Sequence, residues 1–421
     1  MTQPTPDAIA IDPSQLTVGL CVWLDLKWME HPFLTNRVVV KTAQDLAILQ
    51  SLPLAGKLHY IPSKSTAEPL ALGHTQVPET AVPDTLALEH QKLAKARQEK
   101  MRHVKDAAAR AERAWENTAS ATREALVSLA RSPRASGQQL SQLSRDTAAA
   151  IAQGPQALLH LLGTKEDQGP QFHALNVMTL CLLVGHKIGL SERELTDLAM
   201  AALAHDAGKA DIPLSILKNG HRKKHEEEHY RLHVKHSVQL ARESNAFNST
   251  AIAMIADHHE AVDGSGWPQG KTDMSVGARI LAMANRYDRL CTPEGTGVPP
   301  LMPAEALAHM LRHEISRYDP QLLRTLISLL GVYPPGTVVK LSDGTLALSV
   351  SPGTQITAPR VLLYSPDTPE AEAPMLDLSK EPHLKVVEAV RPTDLSPEVL
   401  LWLNPQKRLA YFFSVETGAQ G

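Results

Sequence analysis

Cysteine is scarce: the 421-residue chain holds three, Cys21, Cys181 and Cys291, far apart in sequence. Neither a disulfide framework nor a thiolate zinc site can be built from three such residues, which suits a reducing, cytoplasmic setting. An excess of one charge is also missing. Lys and Arg number 42 and Asp and Glu 45, a formal charge of −3 with a pI near 6.7. DNA binding, which calls for a strongly basic domain, is thereby excluded. No apolar run approaches the ~20 residues that span a bilayer. The opening MTQPTPDAIAIDPSQ has neither the basic start nor the apolar core of a signal peptide. Aromatic residues are few at 4%, yet there are 19 histidines. That surplus is the first positive signal.

The chain is too long for one ordinary core, and its patterning suggests four segments. Residues 1–65 alternate like short strands (LTVGLCVWLDL, NRVVVK, KLHYIPS) around one helix capped by Thr42 or Asp45 and closed by Gly56. This reads as a small α/β domain without catalytic residues. Residues 66–162 read as a Pro- and Thr-rich linker followed by long amphipathic helices. Met101, Val104, Ala108, Ala111 and Trp115 form an apolar seam. That seam either packs on its own protein or pairs with a second copy in a homodimer. SPRASGQQ, at 132–139, is predicted to interrupt the helix, which resumes to about Leu162. Residues 163–333 are essentially all α, with a capping box at Ser191 and Glu194. Residues 334–421 form a small β-rich unit that opens with a hairpin about Asp343-Gly344. The fold class is therefore mainly α, an all-helical domain between a small α/β domain and a β-rich end.

Chemistry concentrates in the helical block. His205 and Asp206 are adjacent in AALAHDAGK, read here as helix, and Lys209 follows on the same face. An imidazole beside a carboxylate offers nitrogen and oxygen ligands to a divalent metal, and the carboxylate can bridge two ions. Alone, such a pair is ordinary. Its company is not: His173 lies upstream, His233 downstream, then DHHEAVDGSGWPQG from Asp257 to Gly270. So many imidazoles clustered without a metal would leave buried polar groups unpaired, at ~1–3 kcal/mol each. His221, His225, His229 and His233 form a helical stripe, of which only His233 is expected to turn inward. His31, His59 and His186 read as surface or packing histidines, and His236 as core.

These motifs, in this order and spacing, resemble the HD-GYP branch of the HD metal-dependent phosphohydrolases over about residues 165–330. The pattern LTVGLCVWLDLKWMEHPF also looks like the small domain of unknown function that often precedes HD-GYP. The resemblance implies hydrolysis of cyclic di-GMP to pGpG or GMP by a hydroxide bridging two divalent ions, Fe-, Mn- or Zn-like, with no organic cofactor. It implies a metal role for His173, His205, Asp206, His233, His258, His259 and the residue at 285. Asp206 is the bridging ligand and Lys209 the cation at the scissile phosphate. Substrate contacts would come from Lys209, from Asp263, Gly264, Gly266, Trp267 and Pro268 of the DGSGWP loop, and from Arg279. Trp267 would offer guanine a stacking surface, and the two glycines would let main-chain amides approach a phosphate.

The sequence also departs from the family's pattern. Where the family carries a ligand aspartate, ANRYDRL places Asn285, an oxygen donor without charge. Asp288 follows one turn along and is expected to compensate if anything does. A basic stretch is replaced by CTPEGTGVPP, and Gly169 stands where some members hold a glutamate for a third ion. An alternative follows, in which a degenerate module binds cyclic di-GMP or a protein partner without turnover.

Overall fold

The computed structural model describes residues 7–26, 30, 31, 33, 36–72, 117–153, 160–161, 170–295, 297–365, 373, 375–403 and 411–412. The seam from Met101 to Trp115, and the homodimer expectation with it, lies outside them, as do Trp28 and Gly169. The chain divides into two compact units, Met1–Ala107 with Ser365–Pro374 and Ala108–Tyr364 with Met375–Gly421.

The first unit is a four-stranded antiparallel sheet with one helix. Its strands are β1 (Ile9–Ala10), β2 (Cys21–Leu24), β3 (Arg37–Val39) and β4 (Leu58–Tyr60), in the order β1-β4-β2-β3. Central β2 pairs on both edges, and Cys21, Val22 and Leu24 are buried. Helix α1 (Ala43–Gln50) opens with a reciprocal capping box between Thr42 and Asp45. It ends at Gln50 with Ser51 as its cap, earlier than expected. Gly56, at φ 70°, serves the turn that follows. Leu20, Val22, Leu24, Leu49 and Leu58 fill the core.

The second unit is dominated by helices. They are α2 (117–128), α3 (Pro133–Gln153), α4 (Pro170–Lys187), α5 (Glu192–Ala204), α6 (Leu214–Leu217) and α7 (Lys224–Ser244). There follow α8 (Ser249–Asp257), α9 (Val276–Cys291), α10 (Pro303–His313) and α11 (Pro320–Leu330). The helix is interrupted as expected, but over 129–132 only; Pro133 already begins α3, because proline at a first turn loses no hydrogen bond. Leu140, Ala148 and Ile151 of α3 belong to the same core as α4, α5 and α9, so this core reaches upstream of residue 163. The run to Leu162 is not all helix either. His160–Leu161 is a short strand, β5, paired with β11 at Tyr411–Phe412.

Residues 338–390 carry a five-stranded antiparallel sheet of β6 (Val338–Leu341), β7 (Leu346–Gln355), β8 (Ala358–Leu363), β9 (Met375–Asp377) and β10 (Val386–Val390). Its order is β10-β6-β7-β8-β9. The expected hairpin is its β6–β7 pair, and Gly344 supplies the positive φ of the turn. A short helix, α12 (Pro397–Leu403), follows. Among the described residues, no helix is long and apolar enough to cross a membrane.

One junction positions the chemistry. Helix α5 stops at Ala204, and the chain turns at Asp206 into a 3-10 turn, Ala207–Asp211, rather than continuing as α-helix. That turn lies flat on α7. Gly208 donates its N–H to the Ser237 hydroxyl at 2.8 Å, and a Cβ there would sit 2.3 Å from the His233 carbonyl oxygen. Only glycine allows so close an approach. We expect Gly208→Ala to force the turn off α7 and lower stability by ~1–3 kcal/mol. A thermal midpoint equal to the parent's would count against this account.

Candidate metal centre

Five histidines from four helices converge on Asp206. His173 comes from the first turns of α4, His205 caps α5, His233 lies in α7, His258 caps α8, and His259 follows it. The Asp206 carboxylate divides them. Its Oδ2 lies 3.4 Å from Nε2 of both His173 and His205. Its Oδ1 lies 3.4 Å from His233 Nε2 and 3.8 Å from His258 Nε2. His259 Nε2 closes the second group, 3.2 Å from His233 Nε2. Two donor sets result: His173, His205 and Asp206, and Asp206, His233, His258 and His259. They share one carboxylate, one set per oxygen.

The main chain fixes which nitrogen of each ring is available. Nδ1 of His205, His233 and His258 lies 2.6–2.7 Å from the carbonyls of Ala202, Tyr230 and Ile255, each three residues earlier. A carbonyl only accepts, so each Nδ1 carries the proton and each Nε2 presents a lone pair toward Asp206. His173 is held likewise, by a carboxylate: its Nδ1 donates to Asp288 Oδ2 at 2.6 Å. Asn176 and Thr292 donate to Asp288 in turn. Asp288 thus stands behind a ligand, in the position that raises ligand basicity at metal sites.

The donor set passes a test of fit to a metal ion. Nε2 of His173 and Nε2 of His205 face each other at 3.1 Å, both as lone pairs. Asp206 Oδ1 and His258 Nε2 are buried without any hydrogen-bond partner. A cation among these atoms would resolve both conflicts. Protonation does not. Burial lowers the pKa of His205, and takes that of His233 down to about 4. Burial, then the neighbouring imidazoles, hold His258 and His259 well below the ordinary histidine value. Burial opposes the charge of Asp206, yet Lys209, His205 and Arg289 keep its carboxyl well below the usual range. At neutral pH His205, His233, His258 and His259 are neutral imidazoles around an ionised carboxylate.

The other predicted residues divide sharply. Lys209 is buried, as the 3-10 turn stacks it three residues above Asp206, and Nζ donates to Oδ2 at 2.8 Å. Asn285 is buried on α9 with its carbonyl oxygen unpartnered. It shares a face with Asp288 and Arg289 by spacing. Trp267 stacks on His259, with centroids 4.0 Å apart and planes at 18°, and so walls the cluster as well as facing outward. Gly266 has a packing reason to be glycine: a Cβ would lie 2.4 Å from the main chain of Glu260 and Ala261. Gly264 takes φ 78°, Asp263 accepts from Ser265 N and Ser316 Oγ, and Pro268 follows a cis bond. Arg279 pairs with Asp319 rather than with the cluster. Of the histidine stripe, His221, His225 and His229 are exposed and only His233 is buried.

Residues that the sequence reading passed over complete the site. Arg289 Nη2 reaches Asp206 Oδ2 at 2.5 Å. Glu294 accepts from Lys209 at 2.7 Å and from the Tyr230 hydroxyl at 3.0 Å. Glu260 accepts from the amides of Gln269 and Lys271 and so braces the loop around Trp267. Arg289 had one signal, its place four residues after Asn285 on α9.

Comparison with known proteins agrees with this geometry. Residues 138–322 match the family described as HD domain, and residues 8–138 match a domain of unknown function, DUF3391. Residues 138–322 are thus similar to an HD domain. The cyclic di-GMP phosphodiesterase PA4108 of Pseudomonas aeruginosa is 26% identical over 372 residues, covering 84% of each chain. The cyclic di-GMP phosphodiesterase response regulator RpfG of Xanthomonas campestris is 34% identical over 149 residues, 34% of this chain and 39% of that one. A 3'3'-cGAMP-specific phosphodiesterase of Vibrio cholerae, number 2, is 32% identical over 163 residues, 37% of this chain and 30% of that one. The HD-domain match begins near α3, which accounts for the helix joining the core.

Two outcomes follow from the neutral imidazoles and their supports. Histidines whose folded pKa lies below the unfolded value near 6.5 bind protons preferentially when unfolded. Metal-free protein should therefore lose stability as pH falls from about 6.5 toward 4. A thermal midpoint flat across that window would contradict the assignment. Asp288→Asn should weaken metal binding ~10–100-fold while leaving the fold intact, read by metal titration with circular dichroism as control.

Proposed function

We propose that this protein is a metal-dependent phosphodiesterase that cleaves cyclic di-GMP to pGpG, GMP or both. The observation that carries the reading is the pair of donor sets sharing Asp206, buried and short of a cation. The names of the relatives support the substrate class.

The site residues divide the work. His173, His205 and Asp206 would hold one divalent ion, and Asp206, His233, His258 and His259 a second. Histidine and carboxylate donors suit an iron-, manganese- or zinc-like ion. Such ions supply a nucleophile at neutral pH and offset charge on the phosphoryl oxygens. The main-chain carbonyls and Asp288 keep the imidazoles turned inward, so no reorientation is needed when ligand arrives. Lys209, already at Asp206, contributes a fixed positive charge where phosphate charge must be neutralised. Trp267 stacks on His259 and covers one side of it, with the Arg231 guanidinium over the indole at 5.0 Å, so a base would stack there only by displacing Arg231. Asp263, Gly264, Gly266 and Pro268 set the course of the loop that carries Trp267.

The second reading, binding without turnover, is favoured by Asn285, which gives an oxygen but no charge. One assay separates the two. Metal-loaded protein is incubated with cyclic di-GMP and with 3'3'-cGAMP, and products are resolved by chromatography. Hydrolysis of cyclic di-GMP is expected, and Asp206→Ala should abolish both metal retention and product. Turnover by Asp206→Ala at the parent rate would refute the assignment, and binding without product would favour the receptor reading.

A further inference from the structure

We propose that the two halves of the centre are unequal by construction, because Arg289 occupies the Oδ2 side of Asp206 and guards it against a second divalent ion. The inference rests on the metal-binding reading above and adds an order of filling to it. On the Oδ1 side, the carboxylate oxygen and His258 Nε2 both lack a hydrogen bond, and His233 faces the same oxygen at 3.4 Å. That half is short of a cation, and neither Lys209 nor Arg289 hydrogen-bonds its oxygen. On the Oδ2 side, Lys209 lies 2.8 Å and Arg289 2.5 Å from the one oxygen that His173 and His205 also face.

An ion bound to His173, His205 and Oδ2 at ordinary lengths of ~2.0–2.2 Å would be the third cation on a single oxygen. Repulsion between a divalent ion and a guanidinium sharing one buried oxygen is strong. Asn285, four residues before Arg289 on the same helix, brings no negative charge to relieve it. A berth for the displaced guanidinium does exist. Glu294 Oε2 lies 3.9 Å from Arg289 Nη1 and already accepts from Lys209 and Tyr230. Arg289 can exchange Asp206 for Glu294 by a small side-chain rotation. The first ion therefore enters the Oδ1 half, and the second enters only as Arg289 moves aside.

The test is stepwise metal titration. Protein stripped with a chelator is titrated with Mn(II) or Zn(II) by calorimetry, and bound metal is counted by elemental analysis after desalting. The parent should bind a first equivalent at least tenfold more tightly than a second. Arg289→Ala should tighten the second step at least tenfold and leave the first unchanged, and Arg289→Lys should keep the parent pattern. Arg289→Gln, closer in shape, is read in the same way should the alanine variant fail to fold. Two equal steps in the parent, or neutral variants that match it, would overturn the proposal. Absence of any metal uptake by the parent would overturn the metal-binding reading itself, and this inference with it.

Discussion

A buried carboxylate ringed by imidazoles that cannot easily take up protons is the constraint on which the centre depends. Asp206 is ionised because cations surround it, and His205, His233, His258 and His259 are neutral because burial penalises their charge. Those two facts reinforce each other. Protonated rings would satisfy the carboxylate directly and leave no lone pairs for a metal. Neutral rings leave Asp206 Oδ1 and His258 Nε2 without partners, an arrangement that a folded protein tolerates only where something else binds.

The fold imposes this arrangement through its helix ends. His205 and His258 both cap their helices, and each uses the carbonyl three residues back to lock its own ring. Carbonyls in the last turn of a helix lack main-chain donors, so a ring N–H is a natural partner for them. The helix termini are therefore satisfied by the same bonds that aim the ligands. His233, in mid-helix, uses the same device and is tied to Asp206 by the glycine contact between the 3-10 turn and α7. Packing of α4 on α5 and α9 then brings His173 to the other side of the carboxylate.

Much of this was legible in the chain. His173, His205, Asp206, His233, His258 and His259 were marked out by residue type and order together with the family resemblance, and the fold brings them into one cluster. Helix starts were legible wherever a capping box stood, as at Ser191 and Glu194. Other features left no such mark. The break placed at SPRASGQQ fell slightly upstream, at 129–132, because proline stops a helix or starts one according to position, and Pro133 starts α3. Gly266 was read for a phosphate contact alone, and the main-chain approach that its bare Cα also allows leaves no local pattern. Glu294 lay in a segment noted for the basic residues it lacks, and its pairing with Lys209 spans 85 residues.

The same pairings bear on how the centre balances charge. Three carboxylates touch its members: Asp206 itself, Asp288 behind His173, and Glu294 beside Lys209. Two permanent cations, Lys209 and Arg289, sit against them, and four of the rings are held neutral by burial. What remains to attract metal is thus small, and it is concentrated at the one oxygen that neither cation touches. A carboxylate at 285 would have added negative charge on the very helix that delivers Arg289, and the asparagine there removes it. With a guanidinium added and a carboxylate withheld on one face of α9, the charge on that side of Asp206 shifts toward positive. An anionic phosphodiester is drawn to such a surface. On the reading proposed above, the Oδ2 side is better matched to a substrate phosphate than to a second unassisted cation, and the Oδ1 side is where metal affinity resides.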